Sequence, residues 1–91
     1  MGQLNTTKKV QLTADVLFPE NPGRIWMFGQ SLGPGRMTIK PDAPPKDIND
    51  GTNVIFPFGT FGDSGEGVHK GKWYAIADQA DTIVLLTEAS Q

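Results

Sequence analysis

Cysteine is absent from the chain, which removes disulfides, thiolate metal sites and a cysteine nucleophile together. An excess of either charge is lacking too: 8 Lys and Arg stand against 10 Asp and Glu, a formal charge of −2 at pH 7. Lys8-Lys9 is the one adjacent basic pair, so the cationic cluster that neutralises a phosphate backbone is missing and nucleic acid is not an expected partner. No apolar run approaches the ~20 residues of a membrane helix. The opening MGQLNTTKKVQLTAD has no apolar h-region, so neither a membrane span nor a signal peptide is expected. Stretches long enough for helix are scarce, because 11 glycines and 7 prolines punctuate 91 residues, well above the usual combined share of about 12%.

What remains is patterned as short strands. A polar opening, residues 1–7, carries no periodicity and reads as a flexible N-terminal arm, leaving 8–91 as a single domain. Val10, Leu12, Ala14 and Val16 then alternate with Gln11, Thr13 and Asp15, the period of one half-buried strand. Arg24 to Phe28 is apolar on both faces, with Trp26, Phe28 and Met37 expected to form one wall of the core. Arg36 to Lys40 alternates again, placing Met37 and Ile39 inward. The segment PDAPPKDINDGTN is a polar connection, with Pro44-Pro45 stiff and Asp50-Gly51 a turn. Val54 to Phe58 is a strand that Pro57 confines to an edge or a bulge. Trp73–Ala77 and Thr82–Thr87 read as a closing hairpin, with a helix over 75–89 as the competing reading. The expected fold is all-β: a small antiparallel β-sandwich or barrel of about six short strands with long Gly- and Pro-rich loops.

Chemistry-bearing residues gather in GTFGDSGEGVHKG, residues 59–71. Gly62-Asp63-Ser64-Gly65 has the look of the segment around a protease serine, yet the single histidine, His69, lies five residues downstream in the same loop. A triad needs that base held apart and oriented by a carboxylate, so turn chemistry is the better reading and no catalytic residue is assigned. No Gly-Lys-Ser/Thr ending follows these glycines, so no phosphate loop is expected. Asp63, Glu66 and His69 are spaced by three, but a glycine-rich loop gives them no fixed geometry, and neither metal nor cofactor is expected. The residues expected to meet a partner are Phe61, Val68 and His69 in this loop, with Leu4 and Lys8 in the arm. Trp26, Phe28, Trp73 and Tyr74 are read as core before they are read as a sugar platform.

A strand ending in Phe28-Gly29, the Gly33-Pro34-Gly35 turn, the alternating Arg36–Lys40 strand, the Asp50-Gly51 turn and the late strands 72–77 and 82–87 together resemble the small β-sandwich virion proteins of tailed bacteriophages. The resemblance covers roughly residues 8–88, with no tryptophan following Asp50-Gly51 until Trp73. It implies a non-enzymatic structural protein, made in the host cytoplasm and carried in the virion. The role implied is capsid decoration or cement, with the arm and the glycine-rich loop bound to the major capsid protein or another virion protein. A homo-oligomer is compatible with it. The alternative is a carbohydrate- or receptor-binding module of tail adaptor or fibre type, using Trp26, Trp73 or Tyr74.

Overall fold

The structure, a computed structural model, describes residues 2–91, with side chains described from Asn5 onward. Eight strands form two four-stranded antiparallel sheets packed face to face, and no helix is present among the described residues. One sheet, here sheet A, has the order β1-β8-β3-β6, from β1 (Gly2–Val10), β8 (Thr82–Ser90), β3 (Arg24–Gly33) and β6 (Thr60–Ser64). Sheet B has the order β2-β7-β4-β5, from β2 (Asp15–Phe18), β7 (Trp73–Ala77), β4 (Met37–Pro41) and β5 (Val54–Ile55). The sandwich is open-edged, with no closure into a barrel.

The core between the sheets follows from alternation on each strand. Val84 and Leu86 of β8, Met27 of β3, Phe61 of β6, Met37 and Ile39 of β4, and Trp73, Ala75 and Ala77 of β7 are all buried. Phe61 shows how tightly the layers meet within sheet A. Its ring lies on Gly29, where a Cβ would come within 2.2 Å of the ring tip, so the small residue on β3 makes room for the large one on β6.

Several expectations are corrected. Residues 2–7, expected as a loose arm, are the first part of β1, paired with β8 from Gly2↔Ser90 to Val10↔Thr82. Their lack of periodicity reflects an edge strand whose Asn5, Thr6 and Thr7 are all exposed. The alternating run from Val10 to Val16 is two strands, because the chain changes sheets at the corner Gln11–Ala14 and leaves Leu12 in solvent. Ala77 N donating to Gln11 O, and Gln11 clasping Asp81 through both ends of its amide, hold that corner. The closing hairpin and its helical alternative both fall, since β7 and β8 lie in different sheets and the turn 78–81 crosses between them. The first part of the supposed glycine-rich loop, Thr60–Ser64, is β6, paired with β3 from Trp26↔Ser64 to Gln30↔Thr60. The apolar 54–58 strand does lie at an edge, as β5, ending before Pro57.

β3 also runs longer than expected and faces the other way. Met27 is buried while Phe28 is 47% exposed, and Trp26 is half-buried. Register shifts between Arg24 and Trp26 and between Ser31 and Gly33 mark bulges on this strand. They set Arg24, Met27, Gly29, Ser31 and Gly33 inward and leave the bulkier alternates outside.

Candidate docking face

Residues paired directly across an antiparallel sheet share a face, so the register gives the composition of sheet A's outer side. Trp26, Phe28 and Leu32 of β3 lie beside Ile83 and Leu85 of β8, with Phe28 opposite Thr87 and Gln30 opposite Leu85. On the flanks stand Asn5, Thr7 and Lys9 of β1 and Thr60, Gly62 and Ser64 of β6. Lys9 is the one charged residue among these positions. Phe28, Leu32 and Leu85 are exposed, a concentration of apolar side chains on a sheet surface that solvent alone does not require.

The edge of this face carries a second feature. Between β5 and β6 the chain runs Phe56-Pro57-Phe58-Gly59, with Phe56 and Phe58 both well exposed. Phe58 N donates to Ser31 O (2.6 Å), Ser31 N to Gly59 O (2.9 Å), and Gly59 N to Phe56 O (2.8 Å). Gln30 Nε2 donates to Phe58 O at 3.2 Å. These bonds extend the β3–β6 pairing and fix the tip. Phe58 is held at φ 68°, a left-handed conformation that costs a bulky residue free energy. The Arg36 guanidinium sits over the Phe56 ring, 5.8 Å from its centroid, while also pairing with Asp78 at 2.8 Å. That pairing and the backbone N–H of Arg36 hold the Asp78 carboxyl below the usual aspartate range.

Inward-pointing charges guard both outer edges of sheet A, a device that discourages strand addition. Lys8 is half-buried and lies 3.5 Å from Asp15 across the gap to sheet B. Asp63, opposite the buried Met27, accepts the His69 N–H at 2.9 Å. The broad surface, not the strand edge, is therefore the part of sheet A open to contact.

Of the residues expected to meet a partner, Phe61 and Val68 are buried and do not reach solvent as the loop reading required. Lys8 is engaged with Asp15. The side chain of Leu4, and Met1, lie outside the described residues. His69 is half-buried, its Nε2 2.9 Å from Asp42 Oδ1 and its ring edge-on to Trp73 at 5.5 Å between centroids. No hydrogen bond joins His69 to Ser64 among the described residues, and no three of their His, Asp or Glu side chains gather as metal ligands. Trp73 is core, which removes it as a sugar platform; Trp26 and Tyr74 are half-buried.

The loop after β6 is not free. Arg24, 1% exposed, donates from Nε to Glu88 Oε2 (2.9 Å), from Nη1 to the carbonyls of His69 and Gly71, and from Nη2 to Pro19 O (2.7 Å). Its guanidinium also lies 5.6 Å from the centre of the Phe18 ring. A buried cation needs such full satisfaction, and in obtaining it Arg24 ties residues 69–71 to the sandwich.

Sequence reasoning did not single out the outer side of sheet A. The available signal was the outward row itself: on β3 the larger apolar residues alternate with Gly29, Ser31 and Gly33, which are too small to fill a core alone. Compared with known protein families, curated proteins and solved structures, the chain matches none.

Proposed function

We propose that this protein is a non-enzymatic structural module that works by surface docking within a larger protein assembly, a bacteriophage particle being the assembly its sequence resembles. The observation that carries the reading is the uncovered apolar outer face of sheet A with its fixed Phe56–Phe58 tip. Aromatic anchors in a largely uncharged field are the composition of a protein–protein contact centre. Apolar area buried there contributes about 25 cal/mol per Å², and a rigid tip loses little freedom on binding. The docking surface differs from the arm and loop first expected, because the loop is tied by Arg24 and the arm is paired as β1.

Capsids of the phage that encodes the chain, empty or expanded, provide the test. The purified protein is expected to co-sediment with them and to raise their melting temperature. Absence of binding at about micromolar concentration removes the virion reading. A carbohydrate-binding reading keeps one supporting observation, the half-buried Trp26 beside Asp63 and Ser64. Quenching of Trp26 fluorescence by a soluble sugar would favour it over docking to protein.

A further inference from the structure

On the side where β6 ends sheet A and β5 ends sheet B, the space between the sheets stays open. β5 is two residues long and pairs with β4 only at Met37 and Thr38. Beyond Thr38 the outer neighbour of β4 is the loop residue Thr52, whose N–H bonds Ile39 O at 2.8 Å. Across the gap, Gly62 of β6 contributes no side chain. The result is a cleft of about 430 Å³, with the buried Ile39, Phe61 and Trp73 as its floor and Thr52, Asn53 and Asp63 around its rim. That volume is in the range of small-molecule sites, about 300–1,000 Å³.

Two polar groups of the lining residues are unpaired. Among the described residues, Trp73 Nε1 is the one buried side-chain nitrogen or oxygen without a hydrogen bond, a state that costs free energy and calls for a partner. Asp63 lies on the inward side of β6, opposite the buried Met27. Its Oδ2 accepts the His69 N–H at 2.9 Å, and no donor among the described residues meets its Oδ1. The rim itself is held in place: Thr52 Oγ1 lies 3.3 Å from Ile39 O and 2.9 Å from Asn53 Oδ1, and Asn53 O accepts the Thr38 hydroxyl at 2.6 Å.

We propose that this cleft binds a small uncharged ring bearing hydroxyl groups, the chemistry of one sugar residue, free or at the end of a glycan. The lining selects that chemistry. An anion is repelled by the Asp63 carboxylate. An ammonium or guanidinium has no acceptor to offer the indole N–H. A plain hydrocarbon leaves both groups unpaired. A hydroxyl accepts from an N–H and donates to a carboxylate, while the C–H surface of its ring covers the apolar floor. Trp73 serves here as a donor, not as a stacking platform. The cleft is distinct from the outer hollow beside Trp26, with which it shares Gly62 and Asp63. It does not rest on the docking reading, because its residues lie between the sheets and not on the outer side of sheet A.

Nuclear magnetic resonance of the nitrogen-labelled full chain, titrated with glucose, galactose and mannose to about 50 mM, tests the site. Trp26→Phe assigns the two indole N–H signals. The Trp73 signal is expected to shift and saturate with a Kd of about 1–10 mM for at least one sugar, while the Trp26 signal stays in place. Trp73→Phe keeps an aromatic ring and removes the donor; read at the Gly62 and Asp63 amides, it is expected to weaken binding about tenfold. Asp63→Asn keeps an acceptor for the His69 N–H and is expected to weaken binding about fivefold, which leaves the site testable if Trp73→Phe does not fold. No saturable shift at Trp73 with any of the three sugars, a shift confined to Trp26, acetamide binding as tightly as the sugars, or unchanged binding by Asp63→Asn each overturns the proposal. Capsid binding is read separately: a failed titration leaves the proposed function standing, and a chain that binds sugar but no capsid leaves this site standing.

Discussion

The two outer surfaces of this sandwich are built from similar strands and treated in opposite ways. On sheet B, Thr38 and Ile76 face away from the core yet are buried. The connection 42–53 lies along β4 and over Thr38: Thr38 Oγ1 donates to Asn53 O at 2.6 Å, Thr52 N to Ile39 O at 2.8 Å, and Lys40 Nζ to Asp50 at 3.1 Å. Gly51 comes so close that a Cβ would meet Thr38 Oγ1 at 2.1 Å. On sheet A, no segment among the described residues performs that service, and Phe28, Leu32 and Leu85 are exposed. A chain of 91 residues has little apolar surface to spare. One face is left bare while a long loop is spent on the other, and the proposed docking rests on that asymmetry.

The contrast can be broken most sharply at Ile76. Ile76→Ala removes a side chain buried on the outer face beside Thr38 and is expected to cost about 2–4 kcal/mol in chemical denaturation; a loss below about 0.5 kcal/mol would mean that this face is not packed as the core is. Phe58→Gly should act in the opposite direction. It relieves about 1–3 kcal/mol of conformational strain against about 0.5–1 kcal/mol of extra unfolded-chain entropy for glycine, so a gain near 1 kcal/mol is expected. Destabilisation by this substitution would show that the ring supports the fold. Leu85→Ser on the bare face should change the stability of the fold by no more than about 0.5 kcal/mol while weakening the proposed capsid binding; the reverse pattern would make sheet A's outer side an extension of the core.

The smallest effect is one of pH. The Lys46 N–H, then the Lys40 ammonium, hold the Asp50 carboxyl below the ordinary aspartate value. A lowered folded value means that Asp50's contribution is complete above the ordinary value and is lost as pH falls through the lowered one. Amide exchange at Thr52, whose N–H bonds Ile39 O under the cover, is expected to speed up in that acid range before the β8 amides do. Equal acceleration in both would place the acid sensitivity elsewhere.

Much of the fold was legible in the sequence. Gly and Pro density excluded long helices, and the alternation at Arg36–Lys40 put Met37 and Ile39 inward, where they are. Pro57 marked an edge, and β5 is one. The errors have a common physical cause. Period two reports that a strand has two faces, but not where the chain leaves one sheet for the other, so Val10–Val16 looked continuous and 73–87 looked like a hairpin. Nor does it report which face meets the core when both are apolar, as on β3. There the decision lay with distant partners: Phe61 covers Gly29, and Arg24 must turn inward to reach Glu88. The burial of Phe61 and Val68 was missed for a related reason, because they are apolar islands in a polar stretch whether they serve a partner or the core.

Arg24 has a consequence for how the chain reaches this state. Its guanidinium is satisfied by groups 64, 45, 47 and 5 positions away in sequence. Until the last strand and the loop before β7 have arrived, a buried cation at this point would lack most of its acceptors. Partly assembled sandwiches therefore carry a penalty that the complete one does not, of the kind that makes removal of one buried partner cost about 3–5 kcal/mol. Folding and unfolding should accordingly be all-or-none, with closure slowed by the long-range contacts it awaits. A single side chain thus acts as a completeness check on the fold, and the bare face of sheet A is presented only by molecules that have passed it.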